Sequence, residues 1–526
     1  GPFNYTKQPE KLFWAPQPGP QAEAATCPAD EIFMGGTRGG GKSDAVVGIQ
    51  IRGALKYAQH WNGLIVRRKY KDFAELRRRF DELIVAGLPA IRVGGENQVN
   101  YVRFRNGAVI VMQAIMRLEL ADSLQGHQYT LIAIDEAPTI PFIAQLIDML
   151  KGCLRSPHGV PCSMFLTGNP GGPGASQIKA MYIPLEEGGE SDVAEGQVKY
   201  IKQKLKDGTT HEFSRIFIRS TLWDNKILTE QDPMYEARLR SINNPQLVDA
   251  WLGGKWNVFV GQAFNFNERH IIPPVWPIPE YAPLYMTFDW GFGAPFSIGW
   301  WWVDNEDRIY RFAEWYGWDK VTPNIGLRLT DGEIAEGIKE REKKLGIWGK
   351  NITRLAGPDC FNKKPNYKGG GQGPATSDEF RWFADKCRKE GDTQANLTLI
   401  AGDPKKELKI KQFRNRMQIP KDPEELPMLV VYSTCRQFIR IIPSLCVDEL
   451  TSEYLEKGQE LHPFDEASHI CMARPVGSSE EHHSAQDKAR KEAAKFKGLD
   501  NAARSATEEW QETVLALMGE DDDEVF

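Results

Sequence analysis

One stretch constrains this chain more than any other: Gly35-Gly36-Thr37-Arg38-Gly39-Gly40-Gly41-Lys42-Ser43. It follows a short apolar run, Glu31 to Met34, and precedes Asp44 to Ile51, which reads as the first turns of a helix. From Gly36 the spacing is G-x-x-x-x-G-K-S, that of a phosphate-binding loop between a strand and a helix. Glycine lets the backbone fold round a phosphate chain with its N–H groups pointing inward, which places Gly36, Thr37, Arg38, Gly39, Gly40 and Gly41 around a nucleotide. Lys42 is spaced to reach the terminal phosphates and Ser43 to offer its hydroxyl to Mg2+. The helix that follows turns its positive dipole end toward the same point. Such a loop requires an α/β domain whose ligand lies beyond the carboxyl ends of parallel strands.

With 526 residues the chain exceeds one ordinary core, so two domains with extensions are expected. Its 41% hydrophobic and 26% charged residues are the proportions of a soluble globular protein. No run is long and apolar enough to span a bilayer and the start does not resemble a signal peptide, so no membrane is expected. Gly1-Pro2 reads as a protease-cleavage scar. The eight cysteines are scattered without a C-x-x-C pair, which argues against zinc and for a reducing compartment. A formal net charge of −6 leaves any nucleic-acid contact to local basic patches.

After the first helix, Gly63 to Arg68 reads as a strand, followed by a helix carrying Lys69, Lys71, Arg77, Arg78 and Arg79. Those charges suit either a solvated face or DNA phosphates. Gln98 to Met112 reads as a hairpin turning at Asn106-Gly107. Tyr129 to Ala137 is an apolar run without alternation ending in two acids, the pattern of a central parallel strand. Asp135 at its end is placed to hold Mg2+, and Glu136 to orient and deprotonate an attacking water. A third strand, Cys162 to Thr167, runs into Gly168-Asn169-Pro170-Gly171. At the tip of a neighbouring parallel strand, Thr167, Gly168 and Asn169 would face a terminal phosphate and sense its loss. Upstream of the loop, Gln21 suits an adenine edge and Phe13-Trp14 its face; packing of an N-terminal arm is the alternative.

Five prolines between Asn265 and Pro283 read as a linker. Leu284 to Gly293 reads as a strand carrying an acid and then a glycine turn, strands follow at Phe296 to Val303 and Ile309 to Tyr316, then a helix at about 332–345 and a strand at Thr353 to Asp359. Helix and strand alternate to a strand at Met428 to Tyr432, and His462 to Ser468 opens a short helix. Three meandering strands followed by alternating helices and strands match the ribonuclease H-like fold. Acids on its first strand, at the end of its fourth and on a late helix converge there, and Asp289, Asp359 and Asp465 occupy those places. Such carboxylates hold two Mg2+ or Mn2+ ions that activate water and stabilise the leaving oxygen. Glu314 on the third strand is a weaker fourth candidate. The loop Lys363–Gly373 suits either a place over DNA or disorder.

The order GGTRGGGKS, LIAIDEAP, FLTGNPGGPG, then Phe217 to Asn225 and Gly253-Gly254-Lys255-Trp256, resembles the large terminase subunit of tailed bacteriophages. The resemblance implies ATP as nucleotide and the roles of Walker A loop, Walker B strand with catalytic glutamate, coupling motif and lid. It implies an α/β chain: a P-loop ATPase domain with a mostly parallel sheet of the additional-strand catalytic-glutamate type, then a ribonuclease H-like nuclease domain. The boundaries are 1–264 for the ATPase domain with its lid, 265–283 for the linker, 284–475 for the nuclease and 476–526 for a charged tail. Arg38 would watch the phosphates. A second arginine, acting on a neighbouring subunit's nucleotide, would come from the stretch before Walker B, where Arg117 is the nearest candidate; many relatives place Arg-Gly where this chain has Gln125-Gly126. Relatives also often show Asp-His where Leu461-His462 stands. The implied partners are double-stranded DNA, the portal of a procapsid, a small terminase subunit and further copies in a ring, in the host-cell cytoplasm. The acidic Glu520 to Glu524 suits a solvated tail or a portal-binding peptide. A cellular repair or recombination ATPase-nuclease shares both sites. A non-catalytic DNA-binding scaffold would not need intact Lys42, Glu136 and three aspartates, and an integrase-like transposase would not need the phosphate loop.

Overall fold

A computed structural model of the chain describes residues 12–187, 189, 191–204, 209–243, 245–256, 262–363, 365–366, 371–448, 451 and 453–476. The described residues form two compact units that divide between Gly261 and Gln262, with Lys457–Gln459 belonging to the first. Residues 364 and 367–370 of the Lys363–Gly373 loop and all of the charged tail beyond Val476 lie outside the described residues.

In the first unit the strands are β1 (Glu31–Gly36), β2 (Asn62–Arg67), β3 (Ala90–Val93), β4 (Asn100–Phe104), β5 (Val109–Ala114), β6 (Leu131–Ile134), β7 (Ser163–Gly168), β8 (Lys199–Lys204) and β9 (Thr210–Ser220). The helices are α1 (Pro20–Thr26), α2 (Lys42–Tyr57), α3 (Ala74–Val85), α4 (Ile143–Lys151), α5 (Ala175–Tyr182), α6 (Lys226–Gln231), α7 (Met234–Arg240) and α8 (Pro245–Trp251). All nine strands form one sheet in the order β3-β4-β5-β2-β6-β7-β1-β9-β8. The run from β5 to β9 is parallel throughout. Every residue of β1 and of β6 is buried, as an interior parallel strand covered on both faces requires. One face packs Val46, Ile51, Ile65, Phe80 and Phe165; the other packs Phe33, Ile132, Ile134, Ile147 and Trp256. The β4–β5 hairpin turns at Asn106-Gly107, where Gly107 has φ 91°. A single strand, β7, stands between the loop strand β1 and the acid strand β6. That interposed strand is the feature of the additional-strand P-loop ATPases.

The second unit contains β10 (Ile271–Ile272), β11 (Leu284–Asp289), β12 (Ser297–Val303), β13 (Ile309–Tyr316), β14 (Ile352–Ala356), a small ladder of β15 (Pro365–Asn366) and β16 (Gly371–Gln372), β17 (Leu399–Ala401) and β18 (Leu429–Tyr432). Its helices are α9 (Asp331–Lys344), α10 (Thr376–Lys389), α11 (Lys406–Arg416), α12 (Arg436–Ile441) and α13 (His462–Ala473). The main sheet runs β10-β18-β13-β12-β11-β14-β17. Within it β13, β12 and β11 are antiparallel neighbours, while β11, β14 and β17 are parallel. Counting from β11, this is the order third-second-first-fourth-fifth of the ribonuclease H-like fold. Helix α9 starts where the sequence marks it, at a capping box in which Thr330 and Glu333 satisfy each other's backbone N–H. The stretch 265–283, read as a linker, contributes β10 and the buried Phe266 and His270 to this unit.

Candidate active sites

The phosphate loop joins β1 to α2. Gly36 has φ 145°, and a Cβ there would lie 2.1 Å from the Ser220 carbonyl oxygen, so only glycine closes this turn. Gly39 and Gly41 have φ 78° and 75°, which presents successive N–H groups on one side at the start of α2. The loop is braced from behind. Thr37 N–H donates to Ser220 O (2.9 Å), the Ser220 hydroxyl to Gly40 O (2.9 Å), and the Asn225 amide to Gly39 O (2.7 Å). The Gln21 amide donates to Gly41 O (2.8 Å), and its Oε1 accepts from Gln17 N (2.9 Å). Gln21 is thereby held against the loop backbone at the start of α2. Trp14 likewise packs its ring on Gly48 and donates from Nε1 to Asp44 (2.8 Å), so this part of the arm packs on α2.

Lys42 and Ser43 open α2. Lys42 Nζ donates to Thr37 O (2.5 Å), and burial lowers its ammonium to about 8, with Asp135 and Glu136 acting against the shift. Ser43 Oγ donates to Asp135 Oδ1 (3.3 Å). Asp135 Oδ1 also accepts from the Thr167 hydroxyl at the end of β7. Its Oδ2 accepts from Arg67, whose Nε stands at 2.9 Å. Burial alone would raise the Asp135 carboxyl; Arg67 and the hydroxyls of Thr167 and Ser43 outweigh it and hold the group below its usual range. Glu136 has φ 58°, a left-handed conformation that costs about 1–3 kcal/mol in a non-glycine residue and is held here by its surroundings. Its N–H donates to Thr167 Oγ1 (3.3 Å). Burial, opposed by Arg67 and Arg38, leaves the Glu136 carboxyl above its usual range, as suits a base that must take a proton. Gly168 sits against Pro138, and the Oδ1 of Asn169 is buried without a hydrogen-bond partner.

Arg38 lies flat on the Trp251 ring, 3.4 Å from its centroid, and its N–H donates to Trp251 O (2.7 Å). Arg117 is exposed, just before the turn that follows β5. Part of the basic helix is internally paired. Arg77 donates to the carbonyls of Tyr70 and Glu96, Arg78 pairs with Glu82, and Arg79 with Asp44. Sequence reasoning misses Arg67; its signal is a charge closing the apolar strand next to the acid strand.

In the second unit Asp289 ends β11 and Asp465 lies in the first turn of α13. His462 Nδ1 is 2.9 Å from Asp289 Oδ2. Burial and the charge of Asp289 raise the Asp465 carboxyl to about 6, while Lys409, His462 and Lys406 pull it back. Burial would lower the His462 imidazole, but Asp289, Asp465 and Glu460 carry it above its usual value. The neighbour of Asp465, Glu466, points into the core. It accepts from Arg311 (2.8 Å), Ser297 (3.2 Å) and Thr287, which fastens α13 across β11 and β12. Asp359 does not join this group. It is exposed in the turn after β14, and its neighbour Gly357 is the residue that approaches Asp289. Among the described residues no three His, Cys, Asp or Glu stand together as a metal site. Within the group Asp289, His462 and Asp465, His462 bonds Asp289 and the charge of Asp289 acts on Asp465. Glu314 is excluded from it: both its oxygens cap α12, accepting from Gln437 N (2.7 Å) and Phe438 N (3.1 Å).

No protein-family model matches the chain, and no curated protein matches it. Solved structures similar to it are large terminases of several phages. The ADP complex of the large terminase of a thermophilic bacteriophage is 16% identical, over 88% of this chain and 100% of that one, with a TM-score of 0.34. The HK97 bacteriophage large terminase is 12% identical over 89% and 96%, at a TM-score of 0.37. The P22 large terminase nuclease domain is 16% identical over 41% and 92%, at 0.28. The two fold assignments above rest on strand order and register.

Proposed function

We propose that this chain is the large terminase subunit of a tailed bacteriophage, an ATPase that moves double-stranded DNA into a procapsid and a nuclease that cuts the concatemer. One observation carries the reading: a single chain bears a phosphate loop whose Ser43 reaches Asp135 across one interposed strand, and a ribonuclease H-like sheet that ends in Asp289 beside His462 and Asp465.

Lys42 and the inward N–H groups of residues 36–41 hold the ATP phosphates. Ser43 and Asp135 would hold Mg2+ at the first site. Asp289, Asp465 and His462 would hold Mg2+ or Mn2+ at the second. A bound divalent cation neutralises phosphate charge at the first site and activates water at the second. Glu136 takes the proton of the water that attacks the terminal phosphate. The Thr167 hydroxyl joins the Asp135 carboxylate to the Glu136 N–H, so a change at the phosphate reaches Asn169 through β7. Arg38 is the loop's own phosphate sensor, and Arg117 the residue offered to a neighbouring subunit in a ring on the portal. A small terminase subunit delivers the DNA, and the work is done in the host-cell cytoplasm; among the described residues no helix is long and apolar enough to cross a membrane.

The test is ATP-driven uptake of double-stranded DNA into purified procapsids by the full chain. DNA should become protected from added nuclease only when ATP is present. DNA-stimulated hydrolysis and cutting without uptake would favour the repair ATPase-nuclease instead.

A further inference from the structure

Arg67 closes β2, the strand beside β6, and is 5% exposed. Its guanidinium makes four contacts at once. Nε and Nη2 both donate to Asp135 Oδ2, Nη2 also stands 3.3 Å from Ser43 Oγ, and Nη1 donates to the carbonyl of Asp72. Ser43 and Asp135 are the two groups assigned to the cation of the nucleotide site. A buried, permanently charged, planar donor thus already neutralises the carboxylate and engages the hydroxyl that a divalent cation would need.

We propose that Arg67 is a positioning residue that occupies the metal-holding groups between turnovers, and that entry of the divalent cation with nucleotide displaces its Nη2 from Ser43. The displaced guanidinium stays beside Glu136, whose charge already acts on it. The Asp72 carbonyl, held by the same guanidinium, ties the turn before α3 to the exchange. The inference rests on the nucleotide-site reading given above.

The test is equilibrium binding of a fluorescent ADP analogue to the full chain, titrated with Mg2+ from an EDTA-treated start, for the native protein, Arg67→Gln and Arg67→Lys. Losing a charge-assisted competitor should lower the half-saturating Mg2+ of Arg67→Gln by about tenfold. Arg67→Lys, which keeps the charge and loses the fork, should fall between the two. Without metal, Arg67→Gln should unfold at a lower temperature than the native protein, and Mg2+ with ADP should restore most of the difference. A half-saturating Mg2+ that is unchanged or raised in both variants overturns the proposal. Should Arg67→Gln fail to fold, Arg67→Lys decides alone by the same criterion. If the native protein binds no ADP at any Mg2+ concentration, the nucleotide-site reading itself fails, a separate and distinguishable result.

Discussion

Thr167→Val isolates the link between Asp135 and Glu136 in the proposed ATPase site. The change keeps the shape of a side chain that is 1% exposed and removes only its hydroxyl. That hydroxyl donates to the ionised Asp135 and accepts from Glu136 N–H at 3.3 Å. A hydrogen bond to a charged group contributes about 1.5–3 kcal/mol and a neutral one about 0.5–1.5 kcal/mol. Asp135 keeps Arg67 and Ser43, so the expected loss lies near the lower bound of the sum, about 2 kcal/mol. The catalytic effect should be larger. Glu136 is held at φ 58° against a strain of about 1–3 kcal/mol, and without the Thr167 anchor its backbone is freer to relax away from that conformation. A displacement of the base by about an ångström costs about 100-fold in rate. Steady-state hydrolysis by the full chain should therefore fall about 100-fold, with ADP affinity changed by about threefold at most. Stability should be read from the unfolding transition that ADP shifts, since a chain of two units need not unfold in one step. Thr167→Ser, which restores the hydroxyl, should recover most of the rate. A Thr167→Val protein that hydrolyses ATP at the native rate, or a serine variant as impaired as the valine one, refutes the reasoning.

Three further outcomes follow from the same geometry. Because burial lowers Lys42 to about 8, the free protein holds a neutral amine above that pH and must take up a proton to bind phosphate; ADP affinity should fall by up to about tenfold per pH unit from about pH 8 upward, and a flat profile between about pH 7 and 9.5 would contradict it. Gly48→Ala places a Cβ 1.9 Å from Trp14 Cε2 and should cost about 1–3 kcal/mol, seen as a lower melting temperature that Trp14→Leu partly restores. Arg311→Met leaves Glu466 buried without its charge partner, so it should cost about 3–5 kcal/mol and abolish DNA cleavage through loss of α13 placement; simultaneous Glu466→Leu should recover stability.

Much of the frame is legible in the sequence because it rests on local pattern. The uninterrupted apolar runs of β1 and β6 announce buried parallel strands, the glycine spacing announces the loop, and the pair Asp135-Glu136 announces a strand end. The partners of these residues are not legible, since they depend on which strands become neighbours. Arg67 meets Asp135 only because β2 and β6 pair in register, with Val66 beside Ile134. The bond from Gln21 to Gly41 O likewise depends on α1 folding back on the loop. Glu314 lies on a strand of the right fold, yet α12 starts directly over it and its exposed N–H groups claim the carboxylate. The sequence places His462 by position alone; its bond to Asp289 emerges only when α13 crosses β11.

The central claim, two independent catalytic centres on one chain, is tested most directly by a crossed pair of variants assayed on the full-length protein. Lys42→Ala should abolish DNA-stimulated ATP hydrolysis and leave Mn2+-dependent DNA cleavage intact, while Asp289→Ala should abolish cleavage and spare hydrolysis. Robust hydrolysis by Lys42→Ala, or undiminished cutting by Asp289→Ala, would contradict the account.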